Sequence, residues 1–156
     1  MNKPNYIVIH CSATRADSDF TESQINESHV ARGFAKWGYH YYIRKDGRVV
    51  PMRAENETGA HDNCLVPGEK TSYNRRSIGI CYEGGLDAAG KPADTRTDAQ
   101  KAALRRLVEE ICSRYKIVDV LGHRDTSPDV NGNGVIERWE WLKECPCFDV
   151  RKEFGV

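Results

Sequence analysis

The sequence has no excess of either charge: 23 lysine and arginine side chains meet 23 aspartates and glutamates, for a formal net charge of zero. Without a positive field nothing gathers nucleic acid or an acidic membrane surface, so neither is expected as a partner. Long apolar runs are missing too. The N-terminal stretch Tyr6-Ile7-Val8-Ile9 is far shorter than a signal-peptide core or a membrane span, so the chain is expected to be made in the cytoplasm without a leader. No internal repeat, low-complexity tract or composition shift divides the 156 residues, so one domain with its own core is expected, as a monomer. Six cysteines are present (Cys11, Cys64, Cys81, Cys112, Cys145 and Cys147), but several fall in segments that read as buried strand or helix. Free or metal-bound thiols are therefore expected, since a disulfide-stapled secreted domain would need an export signal.

What is there reads as an α/β chain. Tyr6 to His10 is a β-branched and aromatic run that suits a buried strand ending at His10. Thr21-Glu22-Ser23-Gln24 is a capping box that predicts a helix to about Trp37, stopped at Gly38. Tyr39–Arg44 and Arg48–Met52 flank Lys45-Asp46-Gly47, whose Asp-Gly pair suits a tight hairpin. The segment from Glu55 to Arg76 has no clear period and reads as a surface loop, the usual carrier of binding groups. Ser77 to Tyr82 is a strand. A second capping box, Thr97-Asp98-Ala99-Gln100, opens a helix with Leu104, Leu107, Val108, Ile111 and Cys112 along one face. Val118 to Leu121 is a short strand that opens into Gly122-His123-Arg124-Asp125. His10 and His123 thus each follow a strand, as ligands do at the carboxyl ends of strands in one α/β sheet.

A catalytic zinc takes three protein ligands and keeps a fourth position for water. His10, His123 and one of Cys145 or Cys147 could supply them, although their spacing matches no local zinc signature. Read from the residues alone, two strand-end histidines hydrogen-bonded to their neighbours are as good an account.

Five segments occur in the order of one family: Ile7-Val8-Ile9-His10-Cys11-Ser12-Ala13-Thr14, Gly38-Tyr39-His40-Tyr41, Asn74-Arg75-Arg76-Ser77-Ile78-Gly79-Ile80, Gly122-His123-Arg124-Asp125 and Lys143-Glu144-Cys145-Pro146-Cys147-Phe148-Asp149. From about residue 6 to about 150 the chain resembles the zinc N-acetylmuramoyl-L-alanine amidases, whose fold is shared with peptidoglycan recognition proteins. It is most similar to the phage lysozymes of that family. The resemblance implies a single domain with a central mixed β-sheet, flanking helices and a zinc site at the strand ends. It implies His10, His123 and Cys145 as zinc ligands, and Tyr39 and Lys143 as the residues needed for amide hydrolysis. The implied reaction cleaves the amide bond between N-acetylmuramic acid and L-alanine in peptidoglycan, in wall lysis after release from the cytoplasm. His61 matches a histidine that faces the substrate cleft in relatives. Cys147 matches no ligand and reads as a packed hydrophobe. One departure stands out: some intracellular members carry a glutamate where this chain has Cys81, so more weight falls on Tyr39 and Lys143. A non-catalytic peptidoglycan-binding module of the same fold and a cytoplasmic amidase that recycles muropeptides are the alternatives. Members that only bind generally lack the ligand cysteine.

A second metal signal lies between His123 and Cys145. Residues 129–140 satisfy the EF-hand pattern, with Gly134 at the sharp turn. This predicts calcium held by Asp129, Asn131, Asn133, the carbonyl of Val135, Glu137 and Glu140. An ion-free turn rich in Asn and Gly would use the same residues.

Overall fold

The computed structural model describes residues 1–33 and 38–155. Along them run β1 (Tyr6–Cys11), β2 (Thr14–Arg15), α1 (Glu22–Ala31), β3 (Tyr41–Ile43), β4 (Val49–Pro51), β5 (Ser77–Tyr82), β6 (Gly85–Leu86), α2 (Asp98–Arg114), β7 (Asp119–Gly122) and α3 (Val150–Phe154). Five strands form one sheet in the order β4-β3-β5-β1-β7, and β2 pairs with β6 in a small ribbon. The sheet is mixed: β1 lies parallel between β5 and β7, β3 is parallel to β5, and only the β3–β4 hairpin is antiparallel. Pro51 ends the edge strand β4, where no neighbour needs its missing N–H.

The two faces of β1 bury different partners. Ile7, Ile9 and Cys11 join Ile78, Ile80 and Tyr82 of β5 under Leu104, Leu107, Val108 and Ile111 of α2. Each such aliphatic side chain contributes about 1.5–3 kcal/mol by leaving water, so this layer anchors the sheet, and truncating Leu104 to alanine would cost about 2–5 kcal/mol. The opposite face carries Val8 and His10. There Val8 meets Val66, Tyr73 and Leu121 beneath the 55–76 loop. Nearby, Cys81 and Tyr42 pack with Ile25 of α1. In register, His10 stands beside Cys81, which stands beside Tyr42. The buried imidazole therefore belongs to the face turned away from α2.

Both capping boxes form. Thr21 and Thr97 accept from the amides of Gln24 and Gln100, whose side chains reach back to the threonine amides. Helix α1, however, ends at Ala31 instead of about Trp37. Gly33, at φ 94°, takes the left-handed conformation that closes a helix, so it provides the stop that the sequence suggested at Gly38. Residues 34–37 lie outside the described residues. The hairpin strands are shorter than the sequence suggested, and Gly47 turns at φ 88° while its amide donates to the Arg44 carbonyl over 2.9 Å. No helix among the described residues is long and apolar enough to cross a membrane.

Candidate metal centre

Three elements remote in sequence place three donors together. β1 delivers His10, 1% exposed, near its C-terminal end. β7 ends at Gly122 and passes directly into a 3-10 turn, His123–Thr126, where the Asp125 carboxylate accepts from the Gly122 amide over 2.8 Å. Cys145 arrives from the C-terminal segment. Its carbonyl accepts from the Arg124 amide over 2.9 Å, its sulfur accepts from the Cys11 amide over 3.2 Å, and the next carbonyl, of Pro146, accepts from the Tyr82 hydroxyl over 2.6 Å. One ligand atom from each of His10, His123 and Cys145 lies within 4.8 Å of the others, the only such grouping of His, Cys or carboxylate ligands among the described residues. Burial holds His10 well below the ordinary imidazole range, with the charge of His123 next in effect. His123 is pulled down to about 4 by burial and then by the nearby Lys143 charge. Two neutral imidazoles offering lone pairs, together with a thiol, form a donor set that suits a tetrahedral zinc with one position open.

The donors face a cavity of about 480 Å³ lined in part by Tyr39, His61, Asp62, Ser127 and Lys143. Tyr39 is half-buried, its ring centroid 5.1 Å from that of His10. Burial, then the neighbouring Cys81 thiol, raises its hydroxyl well above the ordinary tyrosine value, so it stays protonated and able to donate. Lys143 is exposed at the cavity rim, and its charge is felt at both His10 and His123. Cys147 turns elsewhere, its thiol donating to the Gly85 carbonyl over 3.4 Å as it packs against the core under α2. All six cysteines are unpaired. Cys81 is fully buried beneath Tyr39, and the nearest carboxylate on that strand's exit, Glu83, is spent on Arg44 and the amides of Lys45 and Phe20.

Spacing did not single out Asp62. It is 2% exposed; Oδ1 accepts from the Cys64 amide over 3.0 Å and lies 3.9 Å from His123 Nε2, while Oδ2 has no hydrogen-bond partner. Burial raises its carboxyl above the usual range. His61 lines the cavity but is only 9% exposed, and its Nδ1 lies 2.9 Å from His10 Nε2.

The 129–140 segment is closed by its own groups. Asp129 accepts from the amides of Gly132 and Gly134, Asn131 from that of Asn133, and Asn133 from that of Val135. Glu137 accepts from the side chains of Asn131, Asn133 and Trp139, and buried Glu140 from the amides of Val130 and Glu137. At the base of the segment the Leu142 amide donates to Ser127 Oγ over 3.0 Å.

A family profile described as N-acetylmuramoyl-L-alanine amidase matches residues 1–140. The endolysin of Klebsiella phage KP32 is 36% identical over 146 residues, covering 94% of this chain and 82% of that protein. Among solved structures, the N-acetylmuramoyl-L-alanine amidase LysC from Clostridium intestinale URNW aligns with a TM-score of 0.69 at 29% identity, covering 99% of this chain and 87% of that one. A mutant of Drosophila PGRP-LB in complex with tracheal cytotoxin shares the fold with a TM-score of 0.66 at 20% identity, over 100% of this chain and 82% of that one.

Proposed function

Because the chain belongs to the N-acetylmuramoyl-L-alanine amidase family, we propose that it is a zinc-dependent hydrolase that cleaves the amide between N-acetylmuramic acid and L-alanine in peptidoglycan. The observation that carries this reading is the convergence of His10, His123 and Cys145 at the mouth of one cavity. These three residues would hold the ion. When bound, zinc supplies Lewis acidity that makes water nucleophilic near neutral pH and polarises a carbonyl. The protein's own groups do the rest. His10 and His123 stay neutral, so their lone pairs are not lost to protons. Tyr39 keeps its hydroxyl proton and donates a hydrogen bond toward the attacked carbonyl. Lys143, at the rim, places a positive charge where negative charge develops on that oxygen.

Catalysis is favoured over mere binding because the thiol ligand, the tyrosine and the lysine line the same cavity. The endolysin relative is in keeping with a lytic role on the wall, where, on this proposal, the chain acts after release from the cytoplasm, as a monomer. The proposed chemistry needs only the ion held by His10, His123 and Cys145; calcium in the 129–140 segment would be a separate, structural site. The test is digestion of purified peptidoglycan by the zinc-loaded protein with mass spectrometry of the fragments. Stem peptides that begin with a free L-alanine amine are expected. Intact wall, or cuts within the glycan or between stem residues, would overturn the proposal.

A further inference from the structure

His61 sits in a chain of hydrogen bonds that only one assignment of protons satisfies. The Ser77 hydroxyl donates to the Tyr73 carbonyl over 2.6 Å, and a carbonyl can only accept. The Ser77 oxygen, 3.3 Å from His61 Nε2, must therefore accept from that nitrogen. With its proton on Nε2, neutral His61 has a lone pair on Nδ1, which faces His10 Nε2 at 2.9 Å. His10 Nε2 must in turn carry the proton, leaving the His10 lone pair on Nδ1.

We infer that His61 is a positioning residue: it fixes His10 in the Nε2–H tautomer and leaves Nδ1 as its metal-binding atom, without itself being a metal ligand. The inference rests on the zinc reading of the site. It goes beyond the cleft-facing role implied by resemblance: His61 lines the cavity, but both its ring nitrogens are already engaged and the ring is held in a slot. A Cβ at Gly59 would come within 2.5 Å of His61 Cδ2, and one at Gly79 within 2.6 Å of Cγ and Cδ2. These two glycines leave a slot of the ring's thickness. The loop is pinned above it, since the amides of His61 and Asp62 both donate to Asn74 Oδ1 over 2.8 Å. The rings of His10 and His61 stand at 87° to each other with centroids 5.0 Å apart, so His61 meets His10 edge-on from the side away from its lone pair. Such outer partners raise ligand basicity and restrict ring rotation, and their loss typically weakens metal binding about 10–100-fold.

The experiment measures zinc affinity of the metal-free full chain by competition with a chromophoric chelator, for wild type, His61→Leu and His61→Asn. It is paired with the visible spectrum of the cobalt-substituted forms. The asparagine amide oxygen can take the place of Nδ1 as acceptor. Leucine is expected to weaken zinc binding about 10–100-fold and change the cobalt bands, and asparagine to restore most of both. Wild-type affinity in the leucine variant, or no restoration by asparagine in a folded variant, overturns the inference. Long-range proton–nitrogen NMR of metal-free wild type tests it without any variant: His10 must be protonated on Nε2, and a proton on Nδ1 overturns it. A wild type that binds zinc through His10, His123 and Cys145 but ignores His61 sinks only this inference, whereas one that binds no zinc sinks the proposed function as well.

Discussion

The amide of Cys11 donates to the sulfur of Cys145 over 3.2 Å, so the strand that carries His10 also holds the thiol, 134 residues away in the chain. The donor set is thus tied to the sheet through β1 and to the 3-10 turn through the Arg124 amide. A site assembled this way is preorganised by backbone hydrogen bonds, and its side chains can be changed singly while the scaffold stays in place.

Cys145→Ala is therefore expected to abolish hydrolysis and to weaken zinc binding by more than the roughly 100-fold attributed to outer partners. The fold should lose only about 1–3 kcal/mol, for one buried amide deprived of its acceptor. Fragment release, chelator competition and denaturant unfolding of the metal-free protein check the three parts. Turnover close to wild type would rule out the cysteine as a ligand.

Lys143→Ala should leave the unfolding midpoint unchanged, since the side chain is exposed, and should not weaken zinc binding, since it removes a positive charge felt at both histidines. Turnover should fall by about 10²–10³, the usual loss when one stabiliser of a developing oxyanion is removed. Steady-state kinetics on a soluble muropeptide would show the fall in kcat. An unchanged kcat would remove Lys143 from the chemistry.

Tyr39→Phe keeps the ring beside His10 and deletes only the hydroxyl. A drop in kcat of about 10²-fold with zinc affinity preserved is expected from the loss of a positioned donor. Should the zinc affinity collapse instead, the tyrosine would be a ligand and its assigned role would be wrong.

All five histidines are held below the ordinary imidazole value of 6.5, each chiefly by burial, and His29 and His123 lie at about 4. Between about pH 6.5 and about 4 the unfolded chain takes up protons that the folded chain refuses, so acid draws the equilibrium toward unfolding. The metal-free protein should accordingly be most stable above about pH 6.5 and lose stability steadily down to about pH 4. Urea midpoints collected across that window provide the measurement, and a flat profile would mean that the histidines titrate normally in the fold.

Much of the sheet could be read from the sequence, because local chemistry and burial agree there. Tyr6–Cys11 and Ser77–Tyr82 are buried strands and Asp98–Arg114 is an amphipathic helix, each as its pattern suggests. Two glycines compete for the end of α1: Gly33 takes the left-handed turn, and buried Gly38, the stop the sequence suggests, lies so close to the Ala60 carbonyl that a Cβ would come within 2.2 Å of it. The strands β2 and β6 and the helix α3 are too short to leave a periodic signal. At the site, spacing alone left His10, His123 and either cysteine as one option among several. It took family resemblance to select Cys145, and the structure turns Cys147 toward the Gly85 carbonyl. Resemblance points to His61, but neither Asp62 nor the hydrogen bonds that link His61 to Ser77 and His10 leave a sequence signal, since they depend on how the 55–76 loop folds back over the sheet. The calcium-loop pattern of residues 129–140 coincides with aspartate and asparagine side chains that cap the segment's own amides, the same short-range chemistry that makes these residues common in turns.

The bond from the Leu142 amide to Ser127 Oγ acts as a seam. It joins the two strands of chain at the neck of the 129–140 excursion, so whatever hangs beyond the neck need not transmit its length to Lys143 and Cys145. Descendants of this sequence could trim the excursion to a tight turn or exchange it for a larger appendage. By the same rule, the span between Ser127 and Leu142 offers a natural port for grafting a wall-targeting peptide beside the mouth of the cavity.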